Sequence, residues 1–431
     1  MAKRDAVKGK LEKTLTSSSL LRVVSHMARN VDHKLILQCV SFFSVIALAT
    51  VAHAGVREQA KVMHDRLVGT TPSEAVLLSM AADLEAGDYM QAAYTAMADE
   101  DFLRVTLKNW VTPWTNRDQD VFQPLNDYTA TVIGVVRDEL DFRQILYSDI
   151  IYIADPALGL AAYSNGNNTQ YQQLEDQGVA LSTGLVQRQQ SSVTGLPATA
   201  TAGVMTTRAA AKAFFIAGTN RAMFRFTMLN HLCRDMEQVQ DTSRSPDRIR
   251  QDVSRSPGGD SRVFLNNCVG CHNGMDPMAQ AFAYYDYIYD ANSDPDGVNG
   301  AISYNTTGQL DAATGLRVKA KYHINSANFP YGFITPDDQW DNYWRSGPNA
   351  NLGWDGGLSG SGDGAKSMGQ ELAHSQAFAQ CQVEKVFTTV CLREPGDAAD
   401  RTHITNTTTS FTSNYNLKQV FAETANYCKG P

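Results

Sequence analysis

The sequence predicts a mainly α-helical protein in which helices alternate with long loops. Apolar residues recur at helical spacing in several segments, and residue types that begin or end helices flank these segments. Residues 288–365 are instead rich in Gly, Asn and Asp and contain few apolar runs. That composition is typical of loops.

An apolar segment near the N-terminus predicts export from the cytoplasm. Residues 35–51 form an apolar run of 17 residues that follows basic residues and precedes Ala-His-Ala at 52–54. This order is typical of a cleaved signal peptide, while an uncleaved anchor is the alternative because the run is close to the shortest membrane span. We interpret residues 1–54 as a signal peptide, for which Met27 would be a more ordinary start. We therefore expect a periplasmic or cell-surface protein without an integral membrane span.

The chain that remains after this cleavage is acidic. Its 377 residues include 29 Lys and Arg against 42 Asp and Glu, a formal charge of −13. Nucleic acids and anionic membrane surfaces repel such a protein, so we expect neither as a partner. A basic protein partner would be attracted to it.

The first part of this chain, residues 55–160, predicts a helical domain. Thr71 is a suitable N-cap, Pro72 suits the first turn and Glu74 completes a capping box, so a helix should begin there and end at Gly87. Further helices are predicted at residues 89–97, 102–110 and 129–153, the last with room for one or two.

The rest of the chain divides by composition. Residues 161–203 are rich in Gln, Ser, Asn and Thr and predict a polar linker or loop. We expect a second domain over residues 204–370 and a C-terminal helical domain over 371–431. Helical patterns in these two domains cover residues 207–217, 221–233, 375–392 and 417–425, and Asp276-Pro277 predicts the start of another helix over 278–289.

One short motif predicts the chemistry. Residues 268–272 read Cys-Val-Gly-Cys-His, and Cys-x-x-Cys-His is the attachment signature of c-type haem. The two thiols would add to the two vinyl groups of one porphyrin, and the histidine would become an axial ligand of the iron. The motif therefore predicts one covalent haem c, with Cys268 and Cys271 as anchors and His272 on the iron.

Other roles for a Cys-x-x-Cys pair fit less well. A thioredoxin-like redox site would need a βαβ setting, a zinc site usually needs a second cysteine pair, and an iron–sulfur cluster normally needs four organised thiolates. The other cysteines of the mature chain stand singly and could form two disulfides, in any of three pairings, outside the cytoplasm. They are Cys233, Cys381, Cys391 and Cys428.

The residues around the motif resemble two groups of cytochromes. Phe264 lies four residues before Cys268, as an aromatic residue does in class I cytochromes c, and would pack against the porphyrin edge. The longer pattern Cys-x-x-Cys-His-x-x-Met-Asp-Pro, followed by Phe282 and Tyr285-Asp286, resembles the planctomycete-type exported c-type cytochrome family. The block at 372–395 is similar to the C-terminal domain of that family. The resemblance implies a cytochrome c-like haem domain over 204–370 and no settled reaction.

The sixth iron ligand decides between an electron carrier and an enzyme. Class I cytochromes usually supply a methionine some tens of residues after the motif, yet none occurs here between Met278 and Met368. Met275 is too close to His272 to reach the opposite face of a porphyrin. The remaining candidates are His323 and Met368.

We therefore expect an exported monohaem cytochrome that exchanges electrons with a redox protein. A peroxidase-like haem enzyme with an open iron position and a surface protein with a structural haem are the alternatives.

Overall fold

A computed structural model describes residues 55–216, 220–246, 248–250, 261–323, 327 and 330–430. Within these residues, helices dominate and the strands form only short two-stranded antiparallel sheets, so the prediction of a mainly α fold is confirmed. The predicted signal peptide, residues 1–54, lies outside the described residues.

Eight α-helices and two strands occupy the first half of the described chain. The helices are α1 (Val56–Val68), α2 (Glu74–Glu85), α3 (Tyr89–Met97), α4 (Lys108–Val111), α5 (Asp127–Arg137), α6 (Thr169–Asp176), α7 (Leu181–Gly184) and α8 (Gln190–Thr194). Strand β1 (Ile151–Ala154) pairs with β2 (Leu185–Arg188).

The second half holds eight further α-helices and four strands. The helices are α9 (Arg208–Phe215), α10 (Arg221–Leu232), α11 (Ser261–Asn267), α12 (Val269–Ala279), α13 (Gly364–Ala373), α14 (Gln376–Cys391), α15 (Ala398–Asn414) and α16 (Leu417–Cys428). Strand β3 (Tyr285–Ile288) pairs with β4 (Ala301–Tyr304), and β5 (Gln339–Asp341) pairs with β6 (Ser361–Asp363).

Helix α2 begins two residues later than its sequence pattern predicts. Ser73, not Thr71, is the N-cap, and its hydroxyl accepts a hydrogen bond from the Val76 amide at 3.3 Å. Serine is itself among the best N-cap residues. With this start, Glu74 forms a bidentate pair with the Arg57 guanidinium of α1. Helix α3 covers the residues predicted for it, and the Asp88 side chain caps it.

The apolar segment 129–153 contains one α-helix, not two. After α5, a 3-10 turn covers Phe142–Leu146, and the last residues form strand β1. All four residues of β1 are buried, and β-branched isoleucines suit a strand that is covered on both faces. The Tyr152 ring lies against Gly134 of α5, where a Cβ atom would be 2.2 Å from the ring.

The segment predicted as a polar linker, residues 161–203, is structured. It contains α6, α7, β2 and α8, and Tyr171 and Leu174 of α6 are buried in the main core. Its polar side chains bind backbone groups: Gln170 accepts a hydrogen bond from the Ala154 amide at 3.1 Å, and Gln190 donates one to the Gly203 carbonyl at 3.0 Å. The polar composition therefore reflects bonds to backbone groups as well as exposure to water.

The first and last helices share one hydrophobic core. Helix α16 packs against α1, α3 and α14. Phe421 of α16 makes edge-to-face contacts with Phe102 and Trp110 at ring-centroid distances of 5.4 and 5.6 Å. The described residues from Gly55 onward accordingly form one compact unit, and one hydrophobic core extends across the predicted boundaries at 160, 203 and 370.

Two disulfides tie helices together in the second half. Cys233, just after α10, is bonded to Cys381 of α14, and Cys391 at the end of α14 is bonded to Cys428 of α16. This is one of the three pairings that the sequence allows. Among the described helices, none combines the length and apolar character needed to cross a membrane.

We expect the two disulfides to differ in their effect on stability. The cysteines of the first are 148 residues apart and those of the second 37. The entropy of the closed loop predicts a loss of about 5 kcal/mol in the free energy of unfolding for Cys233→Ala/Cys381→Ala and about 4 kcal/mol for Cys391→Ala/Cys428→Ala. Each disulfide has one buried and one half-buried cysteine, so we expect the two double variants to lose similar amounts of packing. Denaturant unfolding measures this difference. A larger loss of unfolding free energy in Cys391→Ala/Cys428→Ala than in Cys233→Ala/Cys381→Ala would contradict the ranking.

Candidate haem site

The five-residue motif lies on helical backbone. Helix α11 leads into Cys268, which is the N-cap of α12. The Cys268 amide donates to the Phe264 carbonyl at 2.9 Å, and the His272 amide donates to the Cys268 carbonyl at 3.1 Å. Since residues three and four apart are neighbours on a helix, Cys268, Cys271 and His272 share one side of this segment.

The two motif cysteines are the free thiols of the described chain. Both are half-buried. Cys271 donates a weak hydrogen bond from Sγ to the Met236 carbonyl at 3.4 Å, and Cys268 packs against Ile249, Phe264 and Val269. Burial, followed by the nearby Glu237 carboxylate, raises the pKa of the Cys271 thiol. Cys271 is therefore held in its protonated form.

A buried carboxylate holds the histidine. Nδ1 of His272 lies 3.0 and 3.1 Å from the two carboxylate oxygens of Asp276, one helical turn further along α12. Arg221 of α10 binds the same carboxylate through Nε at 2.6 Å and Nη2 at 3.1 Å. Because an ionised carboxylate only accepts hydrogen bonds, Nδ1 of His272 carries the proton of this bond.

The charge of Asp276 is stabilised by its neighbours. Its side chain is fully buried, and burial alone would raise the pKa of the carboxyl group. Arg221 and then His272 outweigh that effect and hold the pKa of Asp276 far below its usual range. Asp276 is therefore an anion at every physiological pH, and His272 retains only Nε2 as a nitrogen for a metal.

Two glycines let other segments approach α12 closely. A Cβ atom on Gly274 would lie 2.0 Å from Nε1 of Trp344, so the indole packs directly on the helix backbone. A Cβ atom on Gly270 would lie 3.1 Å from Cβ of Gln240, and the Gly270 carbonyl accepts a hydrogen bond from the Asp241 amide at 2.9 Å. The motif is thus held between residues 236–244 and Trp344.

The predicted helix start at Asp276-Pro277 is wrong. Both residues lie inside α12. The Asp276 side chain binds His272 and Arg221 and therefore does not cap a helix. The predicted helix over 278–289 is also absent. A 3-10 turn at Gln280–Phe282 leads instead into β3, where Tyr285 and Tyr287 are buried and Asp286 and Ile288 are more exposed.

Phe264 lies beside the histidine. It is buried, and its ring centroid is 5.6 Å from that of His272, with the planes at 41°. The sequence predicts a contact of Phe264 with the porphyrin edge. The structure shows that this ring packs on the proposed iron ligand, and the contact with porphyrin stays a prediction.

The two candidates for the sixth ligand have different surroundings. Met368 of α13 is fully buried in the main core, and α13 packs against Phe142–Leu146 and Gln280–Phe282. His323 is half-buried at the end of the 3-10 turn Ala320–His323. In that turn, the Tyr322 hydroxyl donates to the carbonyl of Ala279, the last residue of α12, at 2.6 Å. The choice between Met368 and His323 stays a prediction.

The motif residues fit a covalently bound haem. The four other cysteines of the described chain are paired, while Cys268 and Cys271 keep the thiols that thioether formation consumes. The histidine has one ring nitrogen engaged by a carboxylate, as is usual for histidines that bind metals. Sequence reasoning missed Asp276 and Arg221. The four-residue spacing of His272 and Asp276 could have indicated their contact, but no local pattern indicates Arg221.

Comparisons with protein-family models, with curated proteins and with solved structures find no match for this chain. The resemblance to exported c-type cytochromes therefore rests on the sequence patterns around the motif and at 372–395. Within the described residues, no group of three or more His, Cys, Asp or Glu side chains is placed to hold a metal ion.

We expect Gly274→Ala to destabilise the protein. Alanine usually stabilises a helix interior relative to glycine, but here the added methyl group would overlap the Trp344 ring. Overpacking of this kind costs about 2 kcal/mol of unfolding free energy, measured by denaturant unfolding. Gly356→Ala is the control, because its Cβ atom would meet open space. Equal stability of the two variants would contradict the close packing at Gly274.

Proposed function

We propose that this protein is an exported monohaem c-type cytochrome that transfers electrons. The haem would be bound through thioether bonds to Cys268 and Cys271, with His272 as an axial ligand. The state of the cysteines is the observation that carries this proposal. Four cysteines of the described chain are paired in two disulfides, while the two cysteines of the Cys-x-x-Cys-His motif are free thiols on one helical segment.

The attachment chemistry suits these side chains. Each thiol would add across one vinyl group of the porphyrin, so that an S–C bond and a C–H bond would replace the S–H bond and the π bond, and no group would leave. Cys268 and Cys271 are half-buried, so both residues are partly exposed to solvent. Cys268 packs in a small hydrophobic cluster, and Cys271 makes one hydrogen bond through its thiol, which is a weak donor. Neither contact needs the S–H bond to hold the fold.

The disulfides support the proposed location. Disulfides persist in oxidising compartments such as the periplasm and the cell surface, and the same compartments hold proteins with covalent haem c. The predicted signal peptide at residues 1–54 indicates the same destination. Two independent features of the chain therefore favour export.

The histidine environment supports a role for the haem in redox chemistry. His272 is fixed by Asp276, and Asp276 by Arg221, so the axial ligand would keep one orientation in both oxidation states. Fixed ligands favour electron transfer, because little reorganisation accompanies the change of charge. The acidic mature chain would be attracted to a basic redox partner.

Haem attachment tests this proposal directly. We expect the protein, produced in a host with a cytochrome c maturation system, to carry one haem that survives denaturation, as measured by mass spectrometry. Cys268→Ala should leave one thioether bond at most, and Cys268→Ala/Cys271→Ala should leave none, because the reacting sulfurs are gone. Cys391→Ala/Cys428→Ala is the matched control and should retain the haem. A wild-type protein without haem would overturn the proposal.

A further inference from the structure

We infer that Asp276 is a positioning residue that lowers the reduction potential of the haem iron through its hydrogen bond with His272. This inference rests on the proposed function, because it assigns a role to a residue that would touch the axial ligand but not the haem.

The geometry makes Asp276 a strong acceptor. Both of its carboxylate oxygens lie within 3.1 Å of Nδ1 of His272, and the carboxylate is excluded from water. A hydrogen bond to an ionised group is stronger than one to a neutral carbonyl, and a buried site strengthens it further. The carboxylate therefore attracts the Nδ1 proton more strongly than a backbone carbonyl would.

The bond affects the other ring nitrogen. As the Nδ1 proton is drawn toward Asp276, the imidazole ring gains negative charge and Nε2 becomes a better electron donor. A stronger donor stabilises the more positively charged, oxidised iron relative to the reduced iron. Replacement of the carboxylate by a neutral group should therefore raise the reduction potential.

Arg221 keeps the carboxylate in place. Its two hydrogen bonds orient both oxygens, and its charge compensates the buried anion. Helix α10, which carries Arg221, packs directly against α12. The bond between His272 and Asp276 is thus set by the fold and not by the conformation of one flexible side chain.

A structural role alone is the competing explanation, since the ion pair also joins α10 to α12. The chain offers a comparison pair, more exposed to solvent, one turn further along α10. There, Arg225 forms a bidentate pair with Asp235 at 2.7 and 2.6 Å. Asp235 lies in the segment next to Cys271 and would also place a charge near the haem, but its pair with Arg225 is separate from the His272 bond.

The experiment compares the wild-type protein with Asp276→Asn and Asp235→Asn, each matured with haem. Mass spectrometry first establishes that each protein carries haem, and a spectroelectrochemical titration then gives its midpoint potential. We expect a higher potential for Asp276→Asn and a clearly smaller increase for Asp235→Asn. Asp276→Glu, which keeps an ionised acceptor opposite Arg221, should stay nearer to the wild type than Asp276→Asn does.

A second measurement needs no substitution, in case Asp276→Asn does not fold. In the reduced wild-type protein labelled with 15N-histidine, the Nδ1 resonance of His272 should be shifted toward that of a deprotonated ring nitrogen. Two results would overturn this inference but leave the proposed function intact. One is an ordinary protonated Nδ1 resonance for His272. The other is an equal midpoint potential for Asp276→Asn and Asp235→Asn in proteins that carry haem. A wild-type protein without haem would overturn the proposed function and, with it, this inference.

Discussion

The buried ion pair between Arg221 and Asp276 is the interaction on which the candidate site depends. The pair joins α10 to α12. The same Asp276 carboxylate also binds Nδ1 of His272, so the ion pair fixes the position of the histidine. Removal of one member of such a pair typically costs about 3–5 kcal/mol, because the other charge stays buried without compensation. The pair is also connected to the rest of the fold, since the Cys233–Cys381 bond links the end of α10 to α14. The motif is therefore supported by the core and is not an independent loop.

Local signals predicted much of the helical framework. The helix predicted at 89–97 has the observed bounds of α3, and the helices predicted at 221–233 and 375–392 begin and end within one residue of the observed bounds. Two of the wrong predictions have a common cause. The segment Ile151–Ala154 becomes a strand because it pairs with β2, more than thirty residues away, and Asp276 does not cap a helix because Arg221 binds it. A local sequence pattern does not indicate long-range partners of this kind.

The sequence predicts the reacting atoms of the candidate site but not the residues that hold them in place. Two thiols and a histidine at fixed spacing identify the motif by themselves. The groups that hold them, Arg221, Trp344 and residues 236–244, come from other segments that the fold brings to α12. The sixth ligand is the least predictable feature for the same reason, because any segment that reaches the opposite side of the porphyrin could supply it.

The central claim is that one haem is bound through both motif cysteines. The pyridine haemochrome spectrum of the purified, reduced protein tests it most directly, because saturation of each vinyl group shifts the main visible band to shorter wavelength. We expect the band position of a haem with two saturated vinyl groups, in a ratio of one haem to one chain. A band at the position of haem with intact vinyl groups, or a protein without any haem band, would contradict it.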